Sequence, residues 1–291
     1  MNPAALAPSA VNVGAVAFLF GLVVGSFLNV VVHRLPRGES IVWPGSRCPA
    51  CSRPIRPYEN IPLVSYLLLS GKCRGCGAPI SLRYPAIELL TAVLFAAIAL
   101  ETGLRIETVL RCGFAALLVA AAAIDAEHRI IPDEISLGGL AAGLALVPII
   151  ETLEGAAYLS ALLRSFWGAL LGGGLLWSVG FAHARLSTAL GRTFEHWPGE
   201  GASLPGPGSL DYWTWFPGLG FGDVKLLAMI GAFVGPAGVI ETLLAASIAG
   251  LALGIVSALV THRWNSPFGF GPALALGALL VVLVPHPSLL H

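Results

Sequence analysis

Long apolar runs separated by short polar breaks dominate the chain, and this pattern predicts membrane-spanning helices. A helix of about 17–25 mostly apolar residues is long enough to cross a bilayer. Eight runs qualify as candidate spans: 12–32, 84–101, 107–124, 134–151, 161–183, 223–237, 238–261 and 270–286. The sixth is short and glycine-rich. Two polar stretches interrupt the series, 33–83 and about 184–221. The first carries Pro36, Pro44, Pro49, Pro54, Pro57 and Pro62, which favour loops over long helices. The second contains Pro198-Gly199-Glu200-Gly201 and Pro205-Gly206-Pro207-Gly208. It ends in Tyr212-Trp213-Thr214-Trp215-Phe216, whose aromatic rings suit the headgroup level of a membrane. No internal repeat is evident. The expected fold is an all-α polytopic membrane protein of about eight transmembrane helices. Its expected divisions are a first span within 1–32, a loop domain at 33–83, and a core of about seven spans over 84–291.

Composition agrees with the pattern. Hydrophobic residues make up 56% of the 291 and charged residues only 11%, too few to keep a soluble chain of this size in solution. The 35 glycines suit closely packed membrane helices. Net charge is zero, but half of the 16 Lys and Arg fall within 33–83: Arg34, Arg37, Arg47, Arg53, Arg56, Lys72, Arg74 and Arg83. The positive-inside rule then places that loop in the cytoplasm and both termini outside. Arg129, Arg185, Arg192, Lys225 and Arg263 also land inside, leaving Arg105, Arg111 and Arg164 outside. No Lys or Arg precedes Arg34, so the first run reads as a retained span rather than a cleaved signal. Nothing aromatic is interleaved with the basic loop in a stacking pattern, so nucleic acid is not an expected partner.

Cys48-Pro49-Ala50-Cys51 and Cys73-Arg74-Gly75-Cys76 form two Cys-x-x-Cys pairs, 21 residues apart. Four thiolates suit tetrahedral zinc, and a closed four-ligand site is structural. A Pro-rich loop with little core gains most from such a staple. A disulfide or redox pair and unliganded thiols are the competing readings, the first disfavoured in a reducing cytoplasm. Cys112 lies alone in an apolar span and reads as a small buried hydrophobe.

Asp125 and Asp223 stand at the edges of apolar runs, where a carboxylate is expensive to hold and therefore a functional candidate. The first follows Ala123-Ile124; the second closes Gly220-Phe221-Gly222-Asp223. Two carboxylates held together can share one proton, one then activating water and the other protonating a carbonyl oxygen. That chemistry is peptide hydrolysis by an aspartic pair. Gly220 and Gly222 remove side chains where a substrate backbone could approach. Lys225 reads as an interface anchor, or as a charge that tunes a neighbouring aspartate. The blander reading of each aspartate is a helix-terminal charge, as for Asp133, which looks like an N-terminal cap. Glu88 reads first as a structural group paired with Arg83 or another basic group, and only second as catalytic. His33 and His128 lie near the same boundary and read as hydrogen-bonded or exposed histidines. A transporter or proton relay would also use membrane carboxylates, but would want them deep within spans. A third class is a metal-bound scaffold in which the aspartates are idle.

Taken together, these residues carry a resemblance. The blocks are Gly25-Ser26-Phe27-Leu28-Asn29 through His33-Arg34-Leu35-Pro36, the two Cys pairs, Asn60-Ile61-Pro62-Leu63-Val64-Ser65-Tyr66, Arg83-Tyr84-Pro85-Ala86-Ile87-Glu88, the Asp125 segment, and Gly220-Phe221-Gly222-Asp223-Val224-Lys225. In this order the chain resembles the type IV prepilin leader peptidases, membrane aspartic proteases of the GxGD type. The resemblance implies removal of the cytoplasmic leader from prepilins or from pseudopilins of type II secretion. It also implies methylation of the new N-terminus with S-adenosylmethionine as donor. It places the protein in the bacterial inner membrane, with Asp125 and Asp223 as the catalytic pair and the cysteine loop on the cytoplasmic side. A protease lacking the methyltransferase is the nearest alternative. Two departures stand out. The 184–221 insert is longer than the family pattern, and Pro267-Phe268-Gly269-Phe270-Gly271-Pro272 replaces a compact Pro-Phe-Gly-Pro.

Overall fold

A computed structural model describes residues 10–192, 205–261 and 269–284. Helices make up most of those residues, and the rest are turns and loops with isolated β-bridges. The expected spans become α1 (Ala10–Arg34), α3 (Arg83–Thr102), α4 (Ile106–His128), α5 (Asp133–Leu153), α6 (Tyr158–Ala189), α8 (Phe221–Thr261) and α9 (Gly271–Leu283). Two short helices, α2 (Val64–Leu68) and α7 (Leu210–Thr214), lie in the polar stretches. Six of these helices, α1, α3, α4, α5, α6 and α8, are long and apolar enough to cross a membrane. The described part of α9 spans 13 residues, shorter than the run that predicts it. Part of the 184–221 insert, and Pro267 and Phe268 of the C-terminal turn, lie outside the described residues.

The runs 223–237 and 238–261 do not form two separate helices. They join into α8, interrupted at Gly235, whose φ of 74° and ψ of −179° leave helical geometry. A positive φ is open to glycine without a Cβ penalty. Pro236 follows and has no N–H for the helical ladder, so the break falls where two residues both favour it. Other ends have equally local causes. Gly103, with φ of 73°, stops α3. Asp133 and Glu134 occupy the first turn of α5, where the helix dipole favours acidic groups.

The chain divides into two compact units. The first runs to His128 and includes Val282–Val284. Here α1 packs on α3 through glycine. A Cβ at Gly21 would stand 2.6 Å from the Ala92 Cα, and one at Gly25 2.7 Å from the Glu88 Cα. The second unit comprises the described residues within Arg129–Val281. In it α6 lies along α8 at comparable closeness. Gly168 and Gly231 meet backbone to backbone, and the buried Ser165 hydroxyl donates to the Ala232 carbonyl over 2.6 Å. Such approach is how membrane helices gain packing where the solvent is itself apolar.

Candidate functional site

Asp125 sits in the last turn of α4, on a helix whose neighbours Leu118, Val119, Ala121 and Ile124 are buried. Only 5% of it is exposed. A carboxylate there faces the negative end of the helix dipole, so its position is not explained by helix stability. Arg129 then takes a left-handed φ of 56° and ends the helix. Asp223 occupies the first turn of α8, in the second unit, and is 8% exposed. Its N–H donates to the Gly220 carbonyl over 3.1 Å, which closes the turn of the Gly-x-Gly-Asp segment.

The two glycines of that segment have specific neighbours. A Cβ at Gly220 would meet the Asp223 Oδ2 at 3.3 Å, and one at Gly222 would meet Ile131 at 3.2 Å. The glycines therefore make room for the aspartate's own carboxyl group and for the segment before α5. Lys225 pairs with Asp133 and lies 5.6 Å from the Phe221 ring. Asp133 is thus not the expected cap. It is the first residue of α5, makes no capping bond, and spends its charge on Lys225.

Trp177 and Phe181, which the sequence reading did not single out, fasten the aromatic stretch that precedes Gly220. Trp177 and Phe181, one turn apart on α6, stack on one another at 5.0 Å, and Trp213 stacks on Phe181 at 5.3 Å. The Trp177 indole donates to the Trp213 carbonyl over 2.9 Å. Arg185 lies 3.8 Å over the Tyr212 ring and donates to the Tyr212 carbonyl. Phe216 is buried against Ala184, with Leu219 and Phe221 packed beside it. The aromatic stretch before Gly220 is thereby fastened to α6. The i, i+4 spacing of Trp177 and Phe181 was the available signal, since it puts both rings on one helix face.

The four cysteines come together. Cys48, Cys51, Cys73 and Cys76 place all four Sγ atoms within 4.8 Å of one another, and Cys48 and Cys76 are 3.9 Å apart. Tetrahedral zinc with bonds of about 2.3 Å needs sulfurs just under 4 Å apart, so the donor set fits the ion. The local fold is a repeat that the sequence reading overlooked. In one arm the N–H of Cys48 donates to Arg53, that of Ser52 to Cys48 and that of Ile55 to Ser46. In the other, Cys73 donates to Ala78, Gly77 to Cys73 and Ile80 to Gly71. Ser52 and Gly77 both take positive φ, at 57° and 71°. Backbone N–H groups of Cys76 and Gly75 help pull the Cys73 thiol down to about 6, while hydrogen bonding with Cys51 and burial push that of Cys76 up to about 11.

Glu59 ties the two arms together. Its buried carboxylate accepts from Arg53 at 2.6 Å and from the Arg56 N–H at 3.2 Å, with Arg74 at 3.8 Å. The Arg53 guanidinium holds its carboxyl below the usual carboxylate range. Glu88 departs from expectation. Arg83 pairs with Glu127 instead, and Glu88 accepts the Leu63 N–H over 2.8 Å. Arg83 and Glu88 are five residues apart on α3, outside the i, i+3 and i, i+4 spacings that bring helix side chains together. Cys112 is buried, as a small hydrophobe would be.

Comparison with known proteins is consistent with this geometry. Residues 19–102 match the bacterial peptidase A24 N-terminal domain, and residues 112–255 match the type IV leader peptidase family. Among curated relatives, a prepilin leader peptidase/N-methyltransferase of Myxococcus xanthus is 39% identical over 268 residues, covering 89% of this chain and 70% of the relative. Proteins of the same name from Aeromonas hydrophila and Pseudomonas aeruginosa are each 34% identical. They align over 92% and 91% of this chain and over 90% and 88% of themselves. No solved structure matches the chain.

Proposed function

The chain belongs to the type IV leader peptidase family, and on that premise we propose that it cuts the leader from prepilins or type II secretion pseudopilins with Asp125 and Asp223 as its catalytic pair. One observation carries the assignment of residues. Both aspartates are buried at helix ends inside the segment matched by the peptidase family. A buried carboxylate is costly unless the site uses it.

The chemistry follows from what two carboxyl groups sharing a proton can do. The ionised one takes a proton from water as the water oxygen bonds to the scissile carbonyl carbon. The protonated one gives its proton to the carbonyl oxygen. Collapse of the tetrahedral species breaks the C–N bond, and the departing amine takes up a proton. Gly220, Gly222 and Lys225 act in support: the glycines admit the Asp223 carboxyl and Ile131, and Lys225 ties the first turn of α8 to the start of α5 through Asp133.

The protein is a multi-pass membrane protein, and in this reading it lies in the inner membrane. Residues 33–83 face the cytoplasm as a tetracysteine domain beyond a first span in 1–32, and 84–291 form the protease core. Zinc held by Cys48, Cys51, Cys73 and Cys76 serves as a structural staple and supplies no reacting group. The second activity in the relatives' names, N-methylation, comes to this chain with S-adenosylmethionine as donor of an electrophilic methyl group. Its acceptor is the amine that leader cleavage has just exposed.

The test uses a co-expressed prepilin read by mass spectrometry, which reports cleavage and methylation together. Asp125→Asn and Asp223→Asn should each abolish cleavage while the protein remains folded and inserted. Parental processing by either variant would refute the pair. Precut pilin offered to Asp223→Asn should still gain a methyl group, since an amine nucleophile needs no aspartate-activated water.

A further inference from the structure

Around α2 the usual order of inside and outside is reversed. Ser65 is buried, and its hydroxyl accepts the Ile61 N–H over 2.9 Å and donates to the Tyr58 carbonyl over 3.1 Å. The apolar residues beside it face outward. Leu67 is 75% exposed and Leu68 80%, and Ile61 and Val64 are exposed with them. Leu82, just before α3, is exposed to a similar degree. A helix in water turns such side chains inward, so an apolar surface of this kind marks a contact with something apolar.

Glu88 fixes where α2 lies. Its carboxylate accepts the N–H of Leu63, the residue before α2, over 2.8 Å, and the Ser26 hydroxyl of α1 donates to the same side chain. The 20 residues of α3 extend about 30 Å, the thickness of the hydrocarbon core of a bilayer. Glu88 comes five residues after Arg83, about 7–8 Å along the axis. Helical side chains lean toward the N-terminus, which brings this carboxylate, and Leu63 with it, back toward the end of the span. The start of α2 therefore lies where acyl chains meet headgroups. Just beyond that level, α3 exposes Leu89, Leu90 and Val93, which a spanning helix presents to lipid.

We propose that α2 is an interfacial anchor: Ile61, Val64, Leu67 and Leu68 dip into the bilayer surface beside the first turns of α3, with Lys72 among the lipid headgroups. Interfacial helices bury an apolar face about 5–10 Å into this boundary and carry cations on the polar side. Lys72 follows α2 closely, its N–H donating to the Leu69 carbonyl over 3.1 Å. It is exposed and has no acidic partner among the described residues. The lipid belt around α3 is then continuous with the outer face of α2. Because α2 lies between the two cysteine pairs, the anchor holds the loop domain at a fixed height on the membrane. The inference rests on α3 crossing the bilayer and not on the catalytic assignment.

The experiment uses the full-length protein in nanodiscs of phosphatidylglycerol and phosphatidylcholine. A photoreactive lipid with a diazirine near the glycerol end of its acyl chain is compared with a water-soluble diazirine, and labelled peptides are read by mass spectrometry. The lipid probe should label 61–68, and the water-soluble probe should mark that peptide far less than it does in the unfolded chain. Leu67→Gln combined with Leu68→Gln should cut the lipid label there on the order of tenfold or more, the weight of two buried leucines, while label on 89–93 stays at its parental level. Thermal unfolding checks that the variant is folded. Carried on phosphatidylglycerol, the probe should label 61–68 roughly fivefold more than on phosphatidylcholine, and Lys72→Gln should remove most of that preference. A preference unchanged in Lys72→Gln would take Lys72 out of the contact. Strong labelling of 61–68 by the water-soluble probe in the wild type would overturn the anchor, because the face would be open to water. Label from neither probe would also overturn it, because protein would then cover the face, and a second copy would show in the mass of the nanodisc-held species. Prepilin cleavage, assayed separately, decides the catalytic reading whichever way the anchor falls.

Discussion

Substituting Gly231 by alanine tests how the second unit, which carries Asp223, is held together. A Cβ at Gly231 would stand 2.1 Å from the Gly168 carbonyl oxygen, and one at Gly168 would stand 2.1 Å from that of Gly231. Carbon–oxygen contacts of this kind settle at about 3.3–3.6 Å, so α6 and α8 must part by roughly 1 Å or the substitution cannot be accommodated. Neighbouring turns resist the shift. Gly172 sits against the Leu227 backbone, where a Cβ would lie 2.3 Å from the carbonyl oxygen, and Ser165 bonds Ala232.

Two energies then compete. Overpacking a fitted interface costs about 1–3 kcal/mol. Alanine repays about 1 kcal/mol of helix propensity relative to glycine. The net loss of stability is therefore modest, about 2 kcal/mol at most. Activity should suffer more. Asp223 lies just over two turns before Gly231 on the same helix, and a misplacement of about 1 Å at a reacting group can cost about 100-fold in rate. Gly231→Ala should thus unfold only slightly earlier than wild type yet cleave prepilin on the order of 100-fold more slowly. Gly174→Ala on α6 is the control. Nothing lies within 4 Å of its would-be Cβ, so it should keep the parental rate and stability or gain a little. Cleavage by Gly231→Ala at the parental rate would refute the reasoning, as would an equal loss in Gly174→Ala.

Metal analysis after chelator-free purification should find about one zinc per chain, and Cys48→Ser or Cys76→Ser should lower that content and raise hydrogen exchange across 46–80. Glu59 sets a pH dependence on the same loop. Its folded carboxyl is held below the usual value of 4.5, so its contribution is present above that value and lost as pH falls through the lower folded one. Hydrogen exchange in the loop should show wild type more protected than Glu59→Gln above about pH 4.5, with the difference vanishing in stronger acid. A constant difference at all pH values would show that the ion pair with Arg53 is not its source.

What the sequence made legible, and what it did not, divides along a physical line. The apolar runs were readable because bilayer thickness sets helix length and composition marks each run. The cysteine quartet was readable because two Cys-x-x-Cys pairs are a recognisable metal-ligand spacing. Even the break in α8 had a signal in Gly235-Pro236, although the expected boundary fell two residues late. Three of the four failures share a cause; the pairing of Asp133 with Lys225 is instead a side-chain partnership too distant along the chain to be read. Glu88 took a backbone N–H, not Arg83. Asp133 took Lys225, 92 positions along the chain, not its own helix end. The near-repeat of Cys48 to Ile55 in Cys73 to Ile80 is carried by main-chain bonds, with only the cysteines, Pro and Ile in common. Gly168 and Gly231 could be expected to admit some backbone, but not to admit each other. Side-chain partnerships leave a trace in residue type and spacing, whereas a partnership with the main chain leaves none, because every residue carries the same N–H and carbonyl. Asn29 and Glu88 are bound on one side to main-chain groups. Which backbone groups they hold is therefore visible only in the fold.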